Sequence, residues 1–573
     1  MTGDLMRGPA REVPGPERTS HERTSQDRSP SQRTAAAIVD ALCAAGTRLL
    51  FGIPGGGPNL DVVGAAAASG LPFVLAHGET AATIMAATCA DLTGAAGAVV
   101  VTRGPGLASA VNGIAHAALD RLPVVVIADT VPARQRDRIS HQRLDQPALG
   151  RSVAKAAVTV GAANAEHAAR HAVALAAAPP PGPVVINVDA DGALPHDTEL
   201  PPDDDQRPAL SSDDLAPLTA ALRTARRPAV LLGPGAIRHT SAVRDALVGS
   251  GIPALHSYRA RGVVPDSAAE AAGLLTGGTM EAPLLAAADL IVGLGVDPVE
   301  LIPAAWDYLA PTLLVTDVPA GSAEYFTGGV ELVAPLPAAI GALAAHRNRH
   351  TWPEAAGGTA KMAAAARLRR AATAVPGYLT PQDVVTTVRA HTPPGTIATV
   401  DAGAHMLVAM PLWPVDEPHR LLISSGLATM GFALPAAIAA ALCVPDEPVV
   451  AFTGDGGLGM ALAEIETAVR HRLHVIVVVF NDATLSLIKV KQRLEGQGGG
   501  GAVGYGPVSF ASAAAAMGAA AASVNGIAGL VAALAQALSR AGPTVIDARV
   551  DPAGYPAVID LTRGAAGRRC APE

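Results

Sequence analysis

Short apolar runs alternate with alanine-rich stretches in three successive parts of this chain. Continuous apolar runs predict strands buried on both faces of a sheet, and the intervening stretches predict helices that cover those faces. This alternation is typical of α/β units with parallel sheets. The first part, residues 33–193, contains the helical stretches Thr34–Ala45 and Ala81–Thr93 and the candidate strands Arg48–Ile53, Phe73–Ala76, Ala98–Thr102, Val124–Ala128 and Val184–Asp189.

Two further units of the same class follow. In residues 211–345 the candidate strands are Ala229–Leu232, Leu290–Gly293 and Thr312–Thr316, and in residues 377–556 they are Thr396–Val400, Val449–Thr453, Val475–Phe480 and Thr544–Ala548. Residues 194–210 predict an acidic, proline-rich linker, and residues 346–376 a second connection with a helix at Ala360–Ala374. Residues 1–32 and 557–573 are predicted as a disordered tail and a C-terminal tail. The predicted fold class is α/β, with three doubly wound parallel-sheet domains in series.

Composition narrows the class of protein. Of the 573 residues, 50% are hydrophobic but only 3% are aromatic, so Ala, Val, Leu and Gly must supply the packing. The net charge of -8 offers no basic surface for nucleic acid. The four cysteines, Cys43, Cys89, Cys443 and Cys570, are far apart and lack metal-binding spacing, which favours a cytoplasmic protein without zinc or disulfides.

One segment is long and apolar enough to raise the question of a membrane. Leu421–Pro445 carries no charged residue and could cross a bilayer. Ser424, Gly431 and Pro435 interrupt it, and a turn-rich polar motif follows. We therefore expect a buried loop and helix and no membrane partner.

Candidate chemistry concentrates between Val449 and Lys489. One apolar run ends in Gly454–Gly457 (Gly-Asp-Gly-Gly), and the next, Val475–Phe480, ends at Asn481. Parallel strands end at one sheet edge, so the carboxylate of Asp455 and the amide of Asn481 can converge there. Such hard oxygen ligands suit Mg²⁺, which keeps part of its shell for diphosphate oxygens. Either feature alone is a common turn or helix cap.

In this order, the two features resemble the diphosphate-binding motif of thiamine diphosphate enzymes, and the resemblance runs from about Thr34 to Pro556. In the first unit, the segments that resemble family motifs are Phe51–Gly56, His77–Glu79, Thr102–Gly106 and Asp120–Val124. In the third unit, Asp401–His405 and Ser425–Phe432 are similar to the acetolactate synthase branch in particular.

The resemblance implies thiamine diphosphate as the cofactor. Glu79 would be the carboxylate at N1′ that helps the cofactor's own imino group to remove the C2 proton. Pro54 and Gly55 belong to the turn that closes over the cofactor. The carbonyl of Ala428 would accept from the aminopyrimidine, and Met430 would hold the cofactor bent. Taken alone, Glu79 is an ordinary helix-start charge and Met430 ordinary core.

At the diphosphate end, the resemblance assigns cofactor binding to Gly454, Asp455, Gly456, Gly457 and Asn481. The implied Mg²⁺ ligands are the side chains of Asp455 and Asn481 and the backbone oxygen of Ala483.

Two further residues are candidates for contact with substrate. Gln142 lies where acetolactate synthases place a glutamine near the reacting carbon, although its neighbour is His141 instead of that family's aromatic residue. His405 could shuttle a proton, but an isolated histidine is more often structural.

The central unit departs from the anabolic acetolactate synthases, which bind FAD there. Leu232–Gly235 contains two glycines without the rest of a dinucleotide fingerprint, and Gly273–Gly278 lacks the family's Met-His-Gly segment. FAD is therefore doubtful, and a vestigial, empty site is the expectation.

The predicted activity is decarboxylation of a small 2-oxo acid, followed by addition to a second carbonyl compound. The alternatives are a simple decarboxylase that releases an aldehyde and a non-catalytic homologue. The resemblance also implies a homodimer or homotetramer, with active sites between subunits.

Overall fold

The computed structural model describes residues 28–189 and 210–564, apart from residues 303, 348, 373, 374 and 498–500. It contains three sheets of six parallel strands, one after another along the chain. The predicted class, three α/β units in series, is confirmed. The predicted linker at residues 194–210 lies almost wholly outside the described residues.

The first sheet has the strand order β2-β1-β3-β4-β6-β5. Its strands are β1 (Leu50–Ile53), β2 (Phe73–Leu75), β3 (Gly97–Val101), β4 (Val124–Asp129), β5 (Ala156–Gly161) and β6 (Val184–Asp189). The helices of this unit are α1 (Pro30–Ala44), α2 (Pro58–Ala68), α3 (Glu79–Thr93), α4 (Pro105–Leu119), α5 (Gln146–Val153) and α6 (Ala165–Ala177). β3, β4 and β6 are buried throughout, as their apolar runs predict.

The central sheet has the order β12-β11-β10-β7-β8-β9. Its strands are β7 (Pro228–Leu232), β8 (Ala254–His256), β9 (Ala271–Leu274), β10 (Leu290–Leu294), β11 (Thr312–Thr316) and β12 (Val330–Val333). The helices are α7 (Ala216–Thr224), α8 (Thr240–Leu247), α9 (Ala282–Ala287), α10 (Ser322–Tyr325) and α11 (Leu336–His346). α12 (Ala356–Arg370) lies in the predicted second connection and packs against β9.

The third sheet has the order β14-β13-β15-β16-β18-β17, the topology of the first sheet. Its strands are β13 (Ile397–Val400), β14 (Leu421–Ile423), β15 (Val449–Gly454), β16 (Val475–Asn481), β17 (Ala520–Val524) and β18 (Thr544–Arg549). The helices are α13 (Pro381–His391), α14 (Met406–Leu412), α15 (Ala433–Cys443), α16 (Asp455–Ala461), α17 (Glu464–Arg470), α18 (Ser486–Leu494), α19 (Phe510–Ala516), α20 (Ile527–Ser539) and α21 (Tyr555–Arg563).

The topology fixes where ligands can approach each sheet. In both the first and the third sheet, the connections that follow two adjacent strands lead to opposite sides of the sheet. The two strands are β1 and β3 in the first sheet and β13 and β15 in the third. Open α/β sheets bind ligands in the crevice beyond the carboxyl ends of such strands. The segments after β1, β13 and β15 therefore lie where a bound cofactor is expected.

The first and third units share one hydrophobic core. α3 packs against α15, and buried side chains of both helices belong to a single cluster. Most of the facing residues are alanines, which allow two helices to approach closely. This packing brings the start of α3 beside the third unit.

Both predicted tail boundaries need correction. α1 begins at Pro30, inside the predicted N-terminal tail, because Ser29 caps it and exchanges reciprocal hydrogen bonds with Gln32. α21 extends to Arg563, inside the predicted C-terminal tail, where Val558 and Ile559 are buried in the third unit's core. Neither boundary carries a strong compositional signal.

The apolar segment Leu421–Pro445 forms β14, a loop and the short helix α15. In the part of the chain that the structure describes, no helix has the length and apolar character needed to span a bilayer.

Candidate active site

Glu79 is the first residue of α3 and follows directly from the short loop after β2. Its side chain is partly exposed and lies against the start of α4, where a Cβ added to Gly106 would be 3.5 Å from Glu79 Oε1. The predicted strand–glutamate–helix order is therefore observed. Glu79 presents a carboxylate at the carboxyl edge of the first sheet.

A glutamate of the third unit supports the loop that carries Glu79. Glu464 Oε1 accepts hydrogen bonds from the backbone N–H groups of His77, at 2.9 Å, and Gly78, at 3.0 Å. Its second oxygen accepts from Thr467 Oγ1 at 2.7 Å. Burial raises the pKa of Glu464 above its ordinary value, and these three donors oppose the rise. Glu464 thus ties the loop that leads into Glu79 to α17.

Pro54 and Gly55 follow β1 at the switch point of the first sheet. Gly55 N–H donates to Asn59 Oδ1 at 2.8 Å. A Cβ at Gly55 would lie 2.3 Å from Thr102 Oγ1, so only glycine fits beside β3. The turn is packed against the strand end from which Arg103 and Gly104 continue towards α4.

The Gly454–Gly457 loop turns from β15 into α16 at the switch point of the third sheet. Asp455 is the first residue of α16 and is only 7% exposed. Its Oδ1 accepts from Gly456 N–H at 2.6 Å, and its Oδ2 from Thr484 N–H at 3.3 Å. Burial raises the pKa of this carboxyl, a cost that a bound divalent cation would offset.

Asn481 ends β16 at the same edge, as the sequence predicts. Its Nδ2 donates to Asp547 Oδ1 at 2.8 Å and to Val508 O at 3.1 Å. Both partners are acceptors, which fixes the orientation of the amide. None of the described residues donates to Oδ1, so this oxygen is available as a metal ligand.

The segment after Asn481 adds oxygens next to Asp455. Ala483 adopts a left-handed conformation, with φ of 56°, and its carbonyl accepts from Tyr505 N–H at 2.8 Å. A carbonyl has a second lone pair, so it can still bind a cation. Burial, chiefly, and the neighbouring Asp455 raise the pKa of Asp482 to about 7. The buried carboxyl of Asp455, the partly buried carboxyl of Asp482, an amide oxygen and a carbonyl are oxygen donors of the kind that suits Mg²⁺.

The Ser425–Phe432 loop brings Met430 to the same place. Met430 Cε would be 3.2 Å from a Cβ at Gly456, so its tip lies against the Gly454–Gly457 loop. Ala428 is exposed and holds a left-handed φ of 51°. The structure therefore places Met430 and the predicted diphosphate loop side by side.

His405 lies beneath Gly454 and not at the surface of the site. Its ring stacks on Phe480 with centroids 5.2 Å apart, and burial lowers its pKa to about 4. Among the described residues, its Nε2 has no hydrogen-bond partner. A neutral, stacked histidine favours the structural alternative, and the proton-shuttle role stays a prediction.

Gln142 is exposed and has a left-handed φ of 54°. Its backbone touches Gly104, where an added Cβ would be 2.5 Å from Gln142 O. It lines a cavity of about 390 Å³ with Arg136 and Asn187. The structure thus puts Gln142 at the same edge of the first sheet as the start of α4, near which Glu79 lies.

The central sheet has its own switch point between β7 and β10. Gly233 N–H donates to Leu294 O and Gly235 N–H to Gly295 O, both at 3.0 Å. The two glycine loops touch, since a Cβ at Gly233 would lie 2.3 Å from Gly295 O. These N–H groups are therefore already used and do not face a pyrophosphate. The expectation that FAD is doubtful stays a prediction.

Comparison with known proteins places these features in a family. Three family profiles match in order: "Thiamine pyrophosphate enzyme, N-terminal TPP binding domain" at residues 32–149, the central domain at 215–312 and the C-terminal TPP binding domain at 401–548. The catabolic acetolactate synthase of Raoultella terrigena is 31% identical, over 90% of this chain and 95% of its own. The chain belongs to the acetolactate synthase-like group of thiamine pyrophosphate enzymes.

A second relative agrees with this assignment, and a solved structure shares the fold. The acetolactate synthase of Bacillus subtilis is 29% identical over 91% of this chain and 93% of its own. A solved structure, the Rhodococcus jostii thiamine diphosphate-dependent 4-hydroxybenzoylformate decarboxylase, superposes with a TM-score of 0.76 over 90% of this chain and 99% of that chain. At 22% sequence identity, this superposition shows that the two chains share a fold.

Two residues of this thiamine pyrophosphate enzyme's site were missed by sequence reasoning. In the sequence, Glu464 is only one of two acidic residues, with Glu466, in a predicted helix. Asp401 was visible only as the first residue of a motif. Its carboxylate accepts from Phe432 N–H at 2.6 Å, Ala433 N–H at 2.9 Å and Thr453 Oγ1 at 2.5 Å, and burial raises its pKa to about 6. Asp401 thereby joins the Met430 loop to β15.

Proposed function

We propose that this enzyme uses thiamine diphosphate and Mg²⁺ to decarboxylate a 2-oxo acid and to join the remaining unit to a second carbonyl compound. The observation that carries the proposal is that Asp455 accepts from Thr484 N–H, in the segment just after Asn481, while the tip of Met430 lies against the Gly454–Gly457 loop. When bound, thiamine diphosphate supplies the nucleophilic carbon that this decarboxylation requires.

The residues divide the work between two ends of the cofactor. Asp455, Asn481 and Ala483 bind Mg²⁺, and the glycines at 454, 456 and 457 let the backbone approach the diphosphate. At the other end, Glu79 would hold a proton at the pyrimidine N1′, and Met430 would support the cofactor between its two ends. Burial of Asp455 excludes water from the metal end and strengthens its electrostatic interaction with a cation.

Carboligation is supported by similarity to acetolactate synthases, two of which align with this chain over 93% and 95% of their own length. A simple decarboxylase would use the same residues and differ only in the final acceptor. Purified protein incubated with pyruvate, Mg²⁺ and thiamine diphosphate, without added FAD, distinguishes them. Acetolactate supports the proposal, whereas acetaldehyde as the main product assigns the simple decarboxylase. If neither forms, a panel of other 2-oxo acids tests the substrate.

We further propose that each site lies between two copies of the chain, with Glu79 of one facing Asp455 of the other. The test co-expresses two inactive variants, Glu79→Gln and Asp455→Ala. In a mixed dimer with shared sites, one site contains both intact residues, so statistical mixing restores about a quarter of wild-type activity. If each site were built from a single chain, no mixture would recover activity.

A further inference from the structure

We propose that Asp120 is a positioning residue that holds the Ser425–Met430 loop, and with it Met430, in the geometry that activates the cofactor. The inference rests on the proposed function. It concerns a carboxylate of the first unit that lies outside the candidate site and acts on a loop of the third unit.

The contact is direct and buried. Asp120 follows α4 and is 1% exposed. Its Oδ1 accepts from Gly426 N–H at 2.6 Å, and its Oδ2 accepts from Ser425 N–H at 3.1 Å. A carboxylate is the only side chain of this size with two acceptor oxygens and no donor. Asp120 therefore satisfies two consecutive N–H groups at the base of the loop.

A side chain within α4, that of His116, supports the same loop through Ser424. His116 Nδ1 lies 3.0 Å from Ser424 Oγ, and Ser424 Oγ accepts from Thr429 N–H at 3.2 Å. Burial is the main cause of the lowered pKa of His116, and the charge of Asp120 opposes the shift. Ser424 thus closes the loop across five residues by bonding the residue before Met430.

The loop needs this support because its own conformation is costly. Ala428 has a φ of 51°, a region that an alanine seldom occupies and that costs about 1 kcal/mol or more. Gly426 has no space for a side chain, since a Cβ would be 2.6 Å from Leu119 Cβ and 3.0 Å from Val299 Cγ2. Strained backbone persists only where neighbouring groups determine it.

The central unit holds Asp120 in place. The Arg259 guanidinium donates to the Asp120 carbonyl and also to Asp91 Oδ1, at 2.8 Å. The Arg259 backbone N–H donates to Glu300 Oε1 at 2.9 Å. All three units therefore meet at Asp120, and the loop is fixed relative to all of them.

This arrangement separates two functions of the site. The metal and diphosphate residues lie at or just after the ends of β15 and β16, and none of their described hydrogen bonds is to Asp120. Ala428 and Met430 belong to the loop that Asp120 holds. Loss of an Asp120 acceptor therefore disturbs the bend of the cofactor and leaves its anchored end intact.

The experiment compares Asp120→Asn with Asp91→Asn in the full-length protein. Asparagine at 120 has almost the same shape, but its NH₂ group would face a backbone N–H donor. Asp91→Asn removes the same charge from the same cluster without touching the loop. The readout is the rate at which the C2 proton of bound thiamine diphosphate exchanges with deuterium, measured by quenched NMR with Mg²⁺ present.

We expect Asp120→Asn to slow C2 exchange by about tenfold or more relative to wild type and Asp91→Asn, as for the loss of one charged hydrogen bond. Its affinity for thiamine diphosphate, from calorimetry, should stay within about threefold of wild type. Exchange in Asp120→Asn at the wild-type rate would overturn the inference.

Two further outcomes are also decisive. If Asp120→Asn does not fold, Ser424→Ala takes its place, because it removes the other support of the loop; wild-type exchange in that variant rejects the inference. If the wild-type protein itself binds no thiamine diphosphate with Mg²⁺, the proposed function fails, and the positioning role fails with it. If the wild-type protein binds thiamine diphosphate and the C2 exchange rate of Asp120→Asn equals that of wild type, only the positioning role is rejected.

Discussion

Gly457 faces the carboxylate of Asp401, and a methyl group at this position should damage the cofactor site. A Cβ would lie 2.2 Å from Asp401 Oδ2 and 2.9 Å from Thr453 Oγ1. Carbon and oxygen atoms normally approach to about 3.5 Å, so one of the groups must move by roughly 1 Å. Asp401 cannot move freely, because it accepts three hydrogen bonds in a fully buried position.

The size of the effect follows from these contacts. Overpacking of a well-packed site costs about 1–3 kcal/mol, and losing a hydrogen bond to a charged group costs a similar amount. The free protein can relax by shifting the Gly454–Gly457 loop, but a bound diphosphate requires the original loop. The binding free energy of thiamine diphosphate should therefore weaken by at least about 2 kcal/mol, which is equivalent to a roughly 30-fold rise in Kd.

The assay is calorimetric titration of the Gly457→Ala variant with thiamine diphosphate and Mg²⁺. Gly459→Ala is the matched control, since Gly459 lies in the same helix, α16, is exposed and has no atom within 4 Å of an added Cβ. It should bind like wild type and be more stable by about 0.5–1 kcal/mol, because alanine favours a helix. Equal affinities for the two variants would refute the reasoning.

Three other predictions follow from the same geometry. Glu79→Gln should lower turnover by at least about 100-fold in steady-state assays, while calorimetry still detects the cofactor; undiminished turnover would remove Glu79 from its role. Treatment with EDTA should abolish thiamine diphosphate binding, and Mg²⁺ should restore it in wild type but not in Asp455→Ala, which loses a ligand. Burial raises the pKa of Glu300 from its ordinary 4.5 to about 7, so the folded state binds its proton more tightly than the unfolded state. The resulting stability is fully present below pH 4.5 and is lost as pH rises through about 7. Urea unfolding across this range should show a flatter pH dependence for Glu300→Gln, and an unchanged slope would exclude Glu300 as the cause.

Most strands at the centres of the sheets could be predicted from the sequence. β3, β4 and β15 are continuous apolar runs because both of their faces are covered. The strands that escaped prediction lie mostly at the edges. β12 and β17 are half exposed, and β14 has three residues, so each carries too weak an apolar signal.

The positions of Glu79, Asp455 and Asn481 at strand ends could also be predicted, because a strand end is a local feature. The contacts of Glu464, by contrast, could not be predicted. It bonds residues 386 and 387 positions away, and its own neighbourhood reads as an ordinary charged helix. His405 shows the reverse, since its motif suggested chemistry whereas the structure buries its ring against Phe480.

The sequence alone determined the class of each unit and the residues that end its central strands, because apolar periodicity and glycine turns act over a few residues. Tertiary structure decided how the units meet. The packing of α3 on α15 sets Glu464 under the Glu79 loop and Asp120 under the Met430 loop. Such contacts depend on the relative placement of whole sheets, and no local pattern of polar and apolar residues encodes that placement.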